Sequence, residues 1–127
     1  MTWRVIFAFS AIIIILTASY IAAAYVGVTC SRLEILATEV IDSAEQGNEA
    51  LCTAKHMLFK NNFSKLHGVL VFTANHFDFN NAELSYDRLW EYVKAGEFFE
   101  AKAELASLHN ALLALQVAES LALPNVL

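Results

Sequence analysis

The chain has 127 residues, 57% of them hydrophobic, and a formal net charge of −5 at pH 7. This length allows one domain at most, because single domains usually contain roughly 100–150 residues. Arg4 is the only charged residue before position 32, so the remainder carries −6 and lacks the basic stripe with which proteins bind nucleic-acid phosphates. A single proline and four glycines favour long helices over a turn-rich β fold.

The first predicted element is an apolar helix near the N-terminus. Residues 5–28 contain no charged side chain, and this run is longer than the ~20 residues that a helix needs to cross a ~30 Å hydrocarbon core. Only a helix satisfies its own backbone polar groups in lipid, so residues 1–30 are predicted to form a transmembrane signal anchor. Trp3 at one end, with Tyr20 and Tyr25 toward the other, is typical of interfacial aromatic belts.

The charges around this segment predict its orientation. The α-amino group and Arg4 precede it without any acidic residue, whereas Arg32 is followed by a run of acidic residues. The positive-inside rule therefore places the N-terminus in the cytoplasm and residues 31–127 outside. A cleaved signal peptide is the alternative, since Ala22 and Ala24 form an A-x-A site. The apolar run exceeds the ~7–15 residues of a typical signal core, which favours an uncleaved anchor.

Residues 31–127 are predicted to form an all-α domain that continues from the membrane helix. Apolar residues recur every three or four positions, which is the pattern of helices that pack through one face. Gly47 and Gly96 are good helix stop signals. Short connections make successive helices antiparallel, so an up-down bundle is expected. Its helices are expected at about residues 31–46, 48–75, 79–95 and 97–120.

The second and fourth helices are predicted to return to the membrane surface. At 1.5 Å per residue, the extramembrane part of the first helix is ~24 Å long and the second helix is ~40 Å long. The second helix must therefore come back at least as far as the lipid, and the fourth ends in the apolar tail 121–127. We expect membrane-surface contacts at Phe72, Phe77 and Leu123.

The C-terminal half carries a family likeness. After the aromatic residue Phe63, the chain reads ANHFDFNNAELSYDRLWEYVKAGE, then EAKAELASLHNALLAL, and ends in ESLALPNVL. These stretches, with His76 and Asn125 as their most telling residues, resemble a family of short membrane proteins of clostridia and related spore-forming Firmicutes, a domain of unknown function. Phe63 stands where that family is expected to have tryptophan. The resemblance covers nearly the whole chain, and it implies a Gram-positive bacterial host, a helical bundle and no assigned activity.

The sequence contains no catalytic or cofactor pattern. No histidine has the glutamate three positions earlier that a di-iron bundle requires, and HExxH, CxxCH and GxSxG motifs are absent. His76 with Asp78 and Asp87 is a candidate acid–base cluster. The favoured alternative is that His76 caps the second helix and Asp78 assists the start of the third. We therefore expect neither enzyme activity nor a cofactor or metal.

Cys30 is predicted at the outer boundary of the membrane. There it either forms an intermolecular disulfide that fixes a dimer or, as favoured, is a small buried thiol. Cys52 is not expected to pair with it, because the two cysteines are separated along the bundle by ~18 Å, beyond the reach of a disulfide.

Three aromatic residues of the third and fourth helices lie off the predicted packing faces. Trp90, Tyr92 and Phe99 either widen the core or form a patch for a partner, and Glu91 and Glu97 would make its rim acidic. The preferred interpretation is a non-enzymatic, membrane-anchored module that binds another membrane or envelope protein. Self-association as a structural protein of the membrane surface is the alternative. A metal or small-molecule sensor or enzyme centred on His76 is the least favoured.

Overall fold

A computed structural model describes the backbone of residues 2–70 and 76–125, and the side chains of residues 2–69 and 76–118. Helices account for nearly all of these residues, and no strand occurs among them. The helices are α1 (Thr2–Glu45), α2 (Glu49–Leu70), α3 (His76–Lys94) and α4 (Phe98–Asn125). The predicted all-α class is therefore confirmed, as is the uninterrupted passage of the apolar N-terminal helix into the bundle.

The two predicted glycine stop signals end α1 and α3. Gly47 and Gly96 have φ values of 75° and 74°, in the left-handed region that glycine enters without steric cost. The amide of Asn48 donates to the carbonyl of Ser43 at 2.9 Å, which satisfies one of the last carbonyls of α1. The side chain of Asn48 then caps α2, because its Oδ1 accepts a hydrogen bond from the amide of Leu51 at 3.1 Å.

Other helix limits differ from the expected ones. α3 is described from His76 to Lys94, so residues 76–78, which were expected before this helix, belong to it. The contact of Phe79 with Phe63, at 4.4 Å between ring centroids, holds the first turn of α3 against α2. α4 continues through Pro124 to Asn125, because a proline so close to the end disturbs only the last turn. The expected end of α2 at residue 75 lies outside the described residues.

The helices form an antiparallel bundle in which α1 packs against α2 and α4, and α3 packs against α4. α2 and α3 meet through large rings, and most of their Cα atoms stay more than 8 Å apart. Phe59 of α2 stacks on Tyr86 of α3 with 3.5 Å between ring centroids. Two small residues, Ala37 of α1 and Ala101 of α4, are also fully buried. Both cysteines are buried as well, which favours the core role for Cys30.

The core begins well inside α1. Val26 is the first buried residue of that helix, and no side chain among residues 2–25 is buried. α1 is nevertheless long and apolar enough to cross a membrane, and none of its most apolar stretch is covered by the rest of the protein. Residues 2–25 therefore extend from the bundle as a mostly apolar helix in which no side chain is fully buried and most are exposed.

Candidate functional site

The five predicted partner-binding residues lie at the end of the bundle that is farthest from the apolar part of α1. This end contains the turns at residues 46–48 and 95–97. We call these two turns and the helical turns that adjoin them the tip. Trp90, Glu91 and Tyr92 precede the second turn, Glu97 lies in it, and Phe99 follows it.

The structure places the three aromatic residues in different surroundings. Trp90 is half-buried and stacks on His56 of α2, with 3.8 Å between ring centroids. Tyr92 is also half-buried and packs against the core, and a two-residue separation turns it to roughly the opposite side of α3. Phe99 leaves 84% of its surface exposed. Trp90 and Tyr92 thus widen the core, and Phe99 is the aromatic side chain that the tip presents to solvent.

A groove of about 410 Å³ opens at the tip between the two turns. Trp90 and Phe98 supply its aromatic lining, and Cys52 lies beside them. Burial raises the pKa of the Cys52 thiol, which keeps it protonated, and its Sγ lies 3.5 Å from the carbonyl oxygen of Val40. Such a thiol is a poor nucleophile. The groove therefore suits an apolar side chain better than a covalent reaction.

A buried polar pair lies beneath the groove. Tyr86 is fully buried, and its hydroxyl lies 2.7 Å from Nδ1 of His56. Burial raises the pKa of Tyr86. Burial, assisted by the positive charges of Lys60 and Lys94, lowers the pKa of His56. Both groups are then neutral at pH 7, which allows the hydroxyl to donate to the imidazole. The pair satisfies two polar groups inside an aromatic core and leaves no charge there.

The neutral state of His56 predicts that the bundle loses stability in acid. The ordinary pKa of histidine is 6.5 and that of folded His56 is lower. The unfolded chain therefore takes up this proton first, and the free energy of unfolding falls as the pH drops below about 6.5 toward the lower value. Thermal unfolding at about pH 7.5 and about pH 5 measures the loss. His56→Gln, which does not titrate, should lose less over the same interval; equal losses would assign the effect to other groups.

Charge is distributed unevenly along the bundle. The half that contains the tip, residues 36–58 and 87–106, has nine acidic and four basic residues. The other half has three acidic and three basic residues, and three of the four histidines; it comprises residues 26–35, 59–70, 76–86 and 107–118. The tip half is therefore strongly acidic, while the half next to the apolar segment is neutral at pH 7.

Some of these acidic groups are engaged within the chain. Glu91 accepts a 2.9 Å bond from Lys94 one turn away, and Glu45 accepts one of 2.8 Å from Lys102. Glu97 has no ion-pair partner in the described part of the chain, and it is exposed in the turn before α4. Of the two predicted rim residues, Glu97 therefore carries the charge that is more readily available to a partner.

The candidate acid–base cluster is not assembled. His76 is exposed at the first position of α3, and Asp78 lies in the same first turn. Asp87 lies eleven residues further along the helix, ~16 Å away, where it accepts a 3.0 Å bond from Lys60. No group of three or more histidine, cysteine or acidic side chains able to hold a metal occurs among the described residues.

The predicted membrane-surface residues belong to the opposite end of the bundle. Phe77, in the first turn of α3, exposes 76% of its surface. Phe72 lies outside the described residues, and Leu123 belongs to α4 although its side chain lies outside the described part. Phe77 is thus the predicted contact whose side chain the structure places.

No protein-family model, curated protein or solved structure matches this chain. The resemblance to a clostridial family therefore stays a prediction. Function has to be inferred from the exposed aromatic ring, the groove and the charges of the tip.

Proposed function

We propose that this protein is a non-enzymatic, membrane-anchored helical module whose tip binds a basic segment of another membrane or envelope protein. The observation that carries the proposal is the exposure of Phe99 on an acidic surface, beside a groove that Trp90 and Phe98 line together with polar residues such as Glu49 and Lys94. Aromatic residues, phenylalanine among them, are enriched in protein interfaces relative to the rest of the protein surface.

The anchor in this proposal is the apolar part of α1. Its exposed side chains need an apolar environment, and a bilayer supplies one of matching thickness. Arg4 before the span and the acidic bundle after it favour a single pass with the N-terminus in the cytoplasm. The family resemblance favours the cytoplasmic membrane of a Gram-positive bacterium. The bundle then faces the envelope, where membrane and envelope proteins are available as partners.

The chemistry of the partner follows from the tip. Burying a side chain of the size of Phe99 is worth about 1.5–3 kcal/mol, enough to make it a principal contact. The excess of five negative charges in the tip half, nine acidic against four basic residues, attracts lysine and arginine and increases the association rate of a basic partner. An apolar side chain of the same partner fits the groove beside Trp90 and Phe98.

Self-association is the second candidate, and it rests on a different surface. Val28 and Ile35 of α1 and Leu113 of α4 are apolar and exposed along the length of the bundle. A second copy that covered them would give a structural protein of the membrane surface. A sensor or enzyme centred on His76 has less support, because Asp87 is engaged by Lys60 and lies far from that histidine.

The test is a pull-down of the tagged chain from native membranes in mild detergent, read by mass spectrometry. The wild type is compared with Phe99→Ser and with Leu84→Ser, which removes an exposed leucine from α3 in the other half. We expect one enriched basic partner, and Phe99→Ser to reduce its recovery by about tenfold or more, which corresponds to a loss of about 1.4 kcal/mol. Leu84→Ser should leave recovery unchanged.

Two outcomes would count against the tip as a binding site. Recovery of the bait alone as a defined oligomer would favour self-association. A partner retained equally by both variants would move the contact to another surface. Glu97→Lys adds an independent check, because reversing an exposed charge should weaken binding to a basic partner and make it less sensitive to salt.

A further inference from the structure

Within the described residues, α4 reaches farther along the apolar part of α1 than α2 does. The contact of His109 Nδ1 with Glu34 Oε1, at 2.6 Å, shows which residues of α4 and α1 lie at the same level. Ala118 follows His109 by nine residues, and Tyr25 precedes Glu34 by nine, so the two lie at the same level in an antiparallel pair. α4 then continues for seven more residues to Asn125, or ~10 Å along the apolar part of α1.

α2 and α3 do not reach as far in the described structure. Counting equal distances from the Gly47 turn places Leu70, the last residue of α2, opposite Ala24 of α1. Counting in the same way from the Gly96 turn places His76, the first residue of α3, opposite Gln116 of α4. The described four-helix part of the bundle therefore ends near the level of Tyr25, and α4 continues past it.

Three of the four helices carry exposed apolar side chains at this level. Tyr25 and Val28 of α1, Phe77 of α3, and Leu113 and Val117 of α4 each expose between 38% and 76% of their surface. We call these five residues the collar. They come from three helices, they adjoin the uncovered apolar stretch of α1, and they lie in the half of the bundle that carries no net charge.

The length of α1 places the collar relative to a bilayer. The charge-free residues 5–28 span ~36 Å as a helix, whereas a hydrocarbon core is ~30 Å thick. The run therefore exceeds the hydrocarbon core by about four residues, and a core that begins at Val5, next to Arg4, leaves residues 25–28 in the headgroup layer at the bundle end. The first of them is Tyr25, a residue type that favours this layer, and the core of the bundle begins at Val26.

We infer that the occupant of the collar is the lipid–water interface of the membrane that α1 crosses, and that the apolar end of α4, residues 121–125, enters the adjoining leaflet beside α1, with the acidic Glu119 at the boundary of the headgroup layer. The inference rests on the membrane anchor in the proposed function and goes beyond it, because it assigns a second lipid-embedded element. Helical backbone is suited to this position, since it satisfies its own polar groups. The acidic half of the bundle is then held away from the headgroups.

Nitroxide labels on the full-length chain in phosphatidylcholine–phosphatidylglycerol vesicles test this inference. Three variants each carry one introduced cysteine, at Val117, Phe77 or Leu123. The native cysteines are buried, so one label per chain is expected, and mass spectrometry verifies this number. Ala103→Cys is the matched control, since it is exposed on nearly the same face of α4, about four turns toward the tip. The ratio of collisions with oxygen to collisions with a polar nickel complex should be about tenfold higher at Val117 and Phe77 than at Ala103, and higher still at Leu123, because lipid excludes polar solutes.

A further label at Ile14, in the apolar part of α1, separates the two proposals. Lipid contact at Ile14 with free access of the nickel complex to Val117 and Leu123 would overturn the second lipid-embedded element and leave the anchor intact. Free access of the complex to Ile14 as well would overturn both. Binding at the tip is measured independently by the pull-down, so its failure would not be mistaken for failure at the collar.

Discussion

Phe59→Ala is expected to lower the free energy of unfolding by about 3–5 kcal/mol, close to the whole stability of a small domain. Phe59 is fully buried at the middle of the α2–α3 interface. It stacks on Tyr86 at 3.5 Å and on Phe63 at 5.7 Å between ring centroids. The backbones of α2 and α3 stay apart there, so the two helices cannot close over the cavity that the substitution leaves. The loss of unfolding free energy is therefore expected in the upper part of this range of about 3–5 kcal/mol.

The matched control removes an aromatic ring of the same type from the surface. Phe99→Ala should change the free energy of unfolding by no more than about 0.5 kcal/mol, because Phe99 is exposed. Urea unfolding in mild detergent, followed by circular dichroism, compares both variants with the wild type. A loss below about 1 kcal/mol for Phe59→Ala would show that the ring stack does not hold α2 against α3.

Ile14→Arg is expected to abolish stable membrane insertion. Ile14 lies near the middle of the apolar run and exposes 67% of its surface. An arginine at the centre of a membrane helix costs about 2.5–3.5 kcal/mol on insertion scales, which lowers the equilibrium constant for insertion by roughly two orders of magnitude. Extraction of membranes with alkaline carbonate measures the result, since integral proteins stay in the pellet and peripheral ones are released.

Ile35→Arg is the control on the same helix. Ile35 is 59% exposed, but it lies within the bundle, where α1 also carries Glu34 and Glu39. Arginine is well solvated at such a position, so this variant should remain in the pellet. Retention of Ile14→Arg in the pellet as well would contradict a lipid environment for that part of α1 and favour a protein that covers it.

Local chemistry made part of this fold predictable. Gly47 and Gly96 end helices because each needs positive φ, and this requirement can be read from a single residue and its neighbours. The described α3 includes His76, whereas the sequence predicts its start at residue 79. Its first turn packs against α2 through the contact of Phe79 with Phe63, sixteen residues away. Such pairing between helices cannot be read from spacing within one of them.

The candidate site was predictable to a similar extent. The apolar periodicity places both Trp90 and Phe99 outside the packing faces. In the structure Trp90 is half-buried, whereas Phe99 is exposed. Trp90 lies one turn after Tyr86, and a helix in a bundle buries a wider stripe than a strict two-in-seven pattern suggests. The stack of Trp90 on His56 depends on the rotation of α2 against α3, which no local pattern specifies.

The unbroken course of α1 gives the protein a fixed height. From Val26 to Glu45 the helix rises ~29 Å with no hinge between the apolar segment and the last turn before the tip. A domain on a flexible linker samples many distances from a membrane. A continuous helix that crosses the bilayer holds Phe99 and the groove at one distance from it. The partner in the proposed function must therefore carry its complementary surface at the same height above the bilayer, which the length of α1 sets.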